Sequence, residues 1–97
     1  MRSARDIIIK PIISEKSYDL VEQAKYTFEV DRRATKLEVR AAIEEIFKVN
    51  VTSVNTMNIK GKLKRQGWAT GFRADWKKAI VTLQEGETIE VFEGGAS

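Results

Sequence analysis

Between Tyr26 and Val30 apolar and polar side chains alternate, with Tyr26, Phe28 and Val30 set against Thr27 and Glu29. This is the period of a half-buried strand. Ala79, Val81 and Leu83 alternate in the same way with Lys78, Ile80 and Thr82. From Val51 to about Lys60 β-branched residues dominate, and Asn55, Met57 and Ile59 share one face. Ile7-Ile8-Ile9, closed by Lys10-Pro11, reads as a short buried strand. Two stretches carry a helical period instead. Ser14 is an N-cap with Glu15 in the positive first turn, Ile13 and Tyr18 occupy hydrophobic-staple positions, and Tyr18, Val21 and Ala24 form the stripe of a helix from about Glu15 to Gln23. Thr35 and Glu38 spell a capping box, followed by Val39, Ala42, Ile43, Ile46 and Phe47 at helical spacing to about Lys48. The order is β-α-β-α-β-β. It predicts an α+β fold in which helices cover a small, mainly antiparallel sheet of about four strands.

The last two strands are separated by Lys60–Lys78, far more than the ~2–5 residues of an ordinary hairpin loop. This segment holds seven Lys/Arg and one acid, Asp75, so it carries +6 while the whole chain carries +3 and the remainder −3. Three glycines (Gly61, Gly67, Gly71) and three aromatic residues (Trp68, Phe72, Trp76) interleave the charges. Cations suit phosphates and flat rings suit bases, so the segment reads as an RNA-binding element. The chain is expected to form a single domain over 1–97, with a flexible basic loop at 61–76 and a frayed tail at 93–97.

Composition narrows the function. A soluble globular balance of 42% hydrophobic and 32% charged residues comes with a pI of about 9.3, above the rough threshold of ~9 for nucleic-acid-binding domains. There is no cysteine, hence no disulfide framework, thiolate metal site or cysteine nucleophile, and no histidine, the commonest general base and metal ligand. No catalytic constellation is visible, since the neighbouring Glu44 and Glu45 point to different sides of a helix. We expect no enzyme activity, metal, cofactor or small-molecule substrate. The longest apolar run of the first residues is three isoleucines, against ~7–15 for a signal peptide and ~20 for a membrane span. The protein is therefore expected to stay where it is made.

Blander readings compete at each place. The basic segment could be a solvated loop that blocks edge-to-edge aggregation, but that leaves three exposed aromatics unexplained. Thr70-Gly71-Phe72-Arg73 echoes the RNP1 signature, which belongs in a strand of a β-α-β-β-α-β domain, whereas a loop is expected here. Arg32-Arg33 with Lys36 is either solvated surface or a phosphate site beside a helix N-terminus. Glu15 and Lys16 read first as cap chemistry.

Five blocks in order carry a resemblance: KPIISEKS (Lys10–Ser17), KYTFEV (Lys25–Val30), ATKLEVRAAIEEIF (Ala34–Phe47), VNTMNIKGKLKRQG (Val54–Gly67) and DWKKAIVTL (Asp75–Leu83). Together they resemble the large-subunit ribosomal protein family at the rim of the polypeptide exit tunnel, the L twenty-three family in its bacterial form. The resemblance implies a cytoplasmic protein of the ribosome, bound to large-subunit ribosomal RNA and neighbouring ribosomal proteins, with its basic hairpin tip in the tunnel wall. It implies RNA contacts at Lys36, Asn55, Thr56, Lys60, Lys62, Lys64, Arg65, Arg73, Trp76, Lys77 and Lys78. It also implies docking of nascent-chain factors, trigger factor and the signal recognition particle, at Ile13, Ser14 and Glu15, with the translocon abutting the rim. Family members commonly place more arginines between the two loop glycines and just after, where this chain has Trp68 and Phe72, so stacking or packing is expected to replace part of the phosphate contact. A free-standing, regulatory single-stranded RNA-binding module is the alternative.

Overall fold

The computed structural model describes residues 3–61, 63–66, 69–72 and 74–90. Its longest helix, α3 (Lys36–Phe47), starts at the expected capping box: the Glu38 N–H donates to Thr35 Oγ1 (3.2 Å) and the Thr35 N–H to Glu38 Oε1 (3.0 Å). Val39, Ala42 and Ile43 form its buried stripe, and Lys48, in a left-handed conformation (φ 57°), ends it. Helix α2 (Glu15–Val21) is capped by Ser14, but its reciprocal partner is Ser17, whose Oγ accepts from the Ser14 N–H at 2.7 Å. The helix is two residues shorter than expected because the chain turns at Ala24, which has φ 60° and is not part of the helical stripe. A four-residue helix that the sequence did not signal, α1 (Ala4–Ile7), is closed by Ser3 and Asp6 and takes Ile7 out of the first strand.

Four strands form one antiparallel sheet, with β1 (Ile8–Pro11), β2 (Lys25–Val30), β3 (Val51–Ile59) and β6 (Trp76–Leu83) in the order β1-β2-β6-β3. The expected α+β architecture is the observed one. Directly opposed residues share a face. Tyr26, Val81 and Val54 form one row, Phe28, Ala79 and Thr56 the next, and Val30, Lys77 and Asn58 the last. Helix α3 covers this face, with Phe47 against Phe28 at a ring-centroid distance of 5.7 Å. Ile7, Ile43, Leu83 and Ile89 complete the core, and Ile89 is fully buried even though it lies beyond the last strand.

The segment expected to be a loop contains a ladder of its own. Strands β4 (Leu63–Gln66) and β5 (Ala69–Phe72) pair antiparallel from Leu63↔Phe72 to Gln66↔Ala69, as a two-stranded sheet separate from the main one. Thr70-Gly71-Phe72 therefore lies in a strand after all. It is not in the main sheet, whose connectivity also differs from the one RNP1 requires. The expected flexibility of 61–76 rests in part on Lys62, Gly67, Trp68 and Arg73, which lie outside the described residues, as does the tail at 93–97.

Candidate RNA interface

The sheet register sorts the charges by position. At one end of the main sheet β2 leads into Arg32 and Arg33, α3 begins at Lys36, β3 leads into Lys60, and β6 begins with Trp76, Lys77 and Lys78. The β4–β5 ribbon departs from the same end. Its root is held by the acid of the basic stretch: the Gly61 N–H donates to Asp75 Oδ1 at 2.8 Å, next to the last β3–β6 pair, Ile59↔Trp76. The sequence showed Asp75 only as an exception to the charge pattern, and the structure makes it a clamp. At the other end stand Glu22, Glu85 and Glu87 with Lys25 and Lys48. There the Glu87 carboxylate accepts from both the backbone N–H and the side-chain amide of Asn50. The fold thus separates charge along the strands, and such an axis orients a protein against a polyanion.

The expected RNA contacts do not share one surface. Thr56 and Lys77 belong to the face covered by α3, and Lys77 Nζ donates to the Ala34 carbonyl at 2.6 Å, tying β6 to the turn before α3. Asn55, Trp76 and Lys78 belong to the opposite, open face. Lys36 is exposed on the first turn of α3, and Lys60 is exposed just after β3. Lys64 and Arg65 lie in β4, while Lys62 and Arg73 lie outside the described residues.

This face is covered by α2 at β2, where Thr27 is only 4% exposed, and is open toward β6 and β3; two rows run across it. Lys10, Glu29, Lys78 and Met57 are in register in one. Thr27, Ile80 and Asn55 form the next, which Ile12 extends by donating its N–H to the Thr27 carbonyl at 2.9 Å. Lys10, Ile12 and Glu29 carried no individual signal in the sequence, because only the pairing register brings them beside Lys78 and Trp76. Of the expected docking residues, Ile13 is 46% exposed, Ser14 is the exposed cap of α2, and Glu15 is exposed in its first turn. With Ser17 completing the capping box, Glu15 is left only its favourable position in the dipole field.

Among the described residues no group of three or more His, Cys, Asp or Glu is placed to hold a metal, and no helix is long and apolar enough to cross a membrane. The features left to explain are a basic end, a clamped ribbon and an open sheet face. The family described as ribosomal protein L23 matches residues 6–91. The chain belongs to that family. Its relatives include the large ribosomal subunit protein uL23 of Roseiflexus castenholzii, 58% identical over 92 residues that cover 95% of this chain and 98% of that one. The uL23 protein of Heliobacterium modesticaldum is 54% identical over 94 residues (97% of this chain, 99% of that one). That of Cutibacterium acnes is also 54% identical over 94 residues, 97% of this chain and 92% of its own.

Proposed function

We infer that this chain is a structural, non-enzymatic component of the large subunit of the cytoplasmic ribosome, and that its basic end and ribbon bind ribosomal RNA at the exit-tunnel rim. The observation that carries this reading is the convergence of Arg32, Arg33, Lys36, Lys60 and Lys78 on the end from which the Asp75-clamped ribbon departs. Backbone pairing within the ribbon keeps its Lys and Arg residues on an extended arm, a form suited to following a phosphate backbone. Neighbouring ribosomal proteins complete its surroundings. The exposed Ile13-Ser14-Glu15 segment serves as a docking place for trigger factor, the signal recognition particle and the translocon, a reading supported by the exposure of all three residues.

Sedimentation tests the reading. A tagged copy expressed in cells should co-sediment with large subunits through high-salt washes, because burial in an assembled particle resists exchange. A regulatory module held on accessible RNA by phosphate contacts alone should be released, since each such contact adds about 0.7–0.9 to the log–log slope of its salt dependence. Loss from the subunit fraction under those washes refutes the ribosomal reading.

A further inference from the structure

The two edges of the main sheet are built differently. At one edge β1 is four residues long, bulges between Ile8 and Lys10 and ends in Pro11. A short strand, a bulge, a lysine and a proline are the devices that keep a sheet edge from pairing with another chain. At the other edge β3 runs for nine residues, Val51–Ile59, with no charged residue and no proline, and its register shift lies at its start, between Val51 and Ser53. The Gln84 N–H donates to the Asn50 carbonyl and the Leu83 N–H to the Ala24 carbonyl, both at 2.9 Å. These bonds fix the alternation in β6, so that Thr82, Ile80, Lys78 and Trp76 turn their backbone groups toward Ser53, Asn55, Met57 and Ile59. The N–H and C=O groups of Val54, Thr56 and Asn58 therefore point out of the sheet edge, and among the described residues none pairs with them.

We propose that this edge pairs with the same edge of a second copy of the chain, antiparallel about a two-fold axis at Thr56. The regular part of the strand, Ser53–Ile59, is then its own partner. Thr56 lies opposite Thr56, Val54 opposite Asn58, Asn55 opposite Met57 and Ser53 opposite Ile59. The outward backbone groups of Val54, Thr56 and Asn58 meet their counterparts, the Thr–Thr pair is favourable, and no like charges stand opposite each other. The antiparallel sense also suits the charge axis of the fold. It sets the two basic ends far apart and brings Lys60 of each copy to the bulge at Thr52 of the other, near Asn50, which holds the Glu87 carboxylate. Glu22, Glu85 and Glu87 outnumber Lys25 and Lys48 at that end, so each basic end meets an acidic one. The pairing uses the β3 edge of both copies, and the guarded β1 edge stops growth at two. A strand from another protein would satisfy the same backbone groups, but the symmetric register and the opposed charge ends favour a second copy.

This inference goes beyond the RNA-binding reading and is tested without RNA, so either can fail alone. One strand-to-strand contact is small, below about 1,200 Å², and makes a weak, concentration-dependent dimer. Sedimentation equilibrium of the full chain, diluted from about 1 mM, should show monomer and dimer and no larger species. Amide exchange at Val54, Thr56 and Asn58 should slow in step with the dimer fraction. Asn55→Glu combined with Met57→Glu sets Glu opposite Glu twice and should weaken the dimer about tenfold. Asn55→Lys combined with Met57→Glu sets Lys opposite Glu twice and should leave it at least as tight as wild type. Should either variant fail to fold, the exchange pattern of the wild-type chain decides. A monomer at every concentration overturns the proposal, as does a dimer in which exchange at those three amides is unchanged. Equal weakening by both charge variants overturns the pairing about Thr56. A monomeric chain whose Thr56 amide is protected only by an added uncharged, Thr- and Val-rich peptide makes the edge a place for another protein's strand and overturns self-pairing.

Discussion

Lys77 and Lys78 are adjacent in β6, yet strand alternation gives them opposite surroundings, so replacing each in turn by Met separates structural charge from RNA-binding charge. Lys77 Nζ donates to the Ala34 carbonyl at 2.6 Å in a partly buried position, on the face that α3 covers. A hydrogen bond to a charged group contributes about 1.5–3 kcal/mol. Methionine keeps most of the apolar stem, but Ala34 is only 1% exposed and its carbonyl loses its ammonium donor, so the loss spans that range, about 1.5–3 kcal/mol. For a domain of this size each kcal/mol moves Tm by about 4–8 °C, which puts Lys77→Met roughly 6–24 °C below wild type. Lys78 stands on the open face opposite Glu29, and losing that cross-strand pair should cost no more than about 1 kcal/mol. The RNA readout is expected to be reversed. Binding to a U-rich single strand, measured by anisotropy over a salt series, should lose about 0.7 of log–log slope in Lys78→Met and nothing in Lys77→Met. A Lys77→Met protein with unchanged Tm and a slope lowered as much as in Lys78→Met refutes the assignment of Lys77 to the fold.

Replacing Lys62, Lys64 and Arg65 together by Gln should leave Tm within a few degrees of wild type and lower the salt slope by roughly two to three units; an unchanged slope makes the ribbon's charge solvated surface. Thr35→Ala removes one half of the α3 capping box and should cost about 1 kcal/mol in urea unfolding, with no change in slope on the RNA side. Ile89→Ala, at a position only 1% exposed, should cost about 2–5 kcal/mol, and a value under about 1 kcal/mol would show that the segment after Leu83 is not part of the core. Glu15→Ala should cost at most about 1 kcal/mol of stability. It should leave subunit assembly intact and weaken recruitment of trigger factor, and recruitment within twofold of wild type would remove Glu15 from the docking surface.

Much of the fold was legible because its signals are local. The capping box of α3, the Ser14 cap and the alternation in β2 and β6 each depend on residues a few positions apart, and each stands where the pattern put it. One miss is local, and the others come from longer-range causes. Ile7 reads as strand from composition, yet Ser3 and Asp6 exchange hydrogen bonds across one turn and draw it into α1. Ala24 reads as helix stripe, yet its left-handed conformation turns the chain into β2, where its carbonyl accepts from the Leu83 N–H at 2.9 Å. Ile89 looks like a weak apolar residue in an acidic tail, and only tertiary packing makes it core. The basic stretch was legible as charge, but its pairing was not, because Gly and Lys residues give a poor strand signal.

The candidate site divides along the same line. Which residues are basic is a property of the sequence, whereas which of them share a surface depends on the parity of each strand position and on the pairing register, and a shift of one residue exchanges the faces. Asn55, Trp76 and Lys78 fall on the open face, while Thr56 and Lys77, each next to one of them in sequence, fall on the other. The same register puts Lys10 and Glu29, from two other strands, into line with Lys78. The apolar rows Tyr26–Val81–Val54 and Phe28–Ala79 lie toward the middle of the sheet, and the cations gather beyond them at one end. A small domain with a marginal core can therefore change the charge of its basic end with little effect on folding. Lys77 is the exception because it sits where the last core row meets the basic end, and its ammonium closes the turn that starts α3.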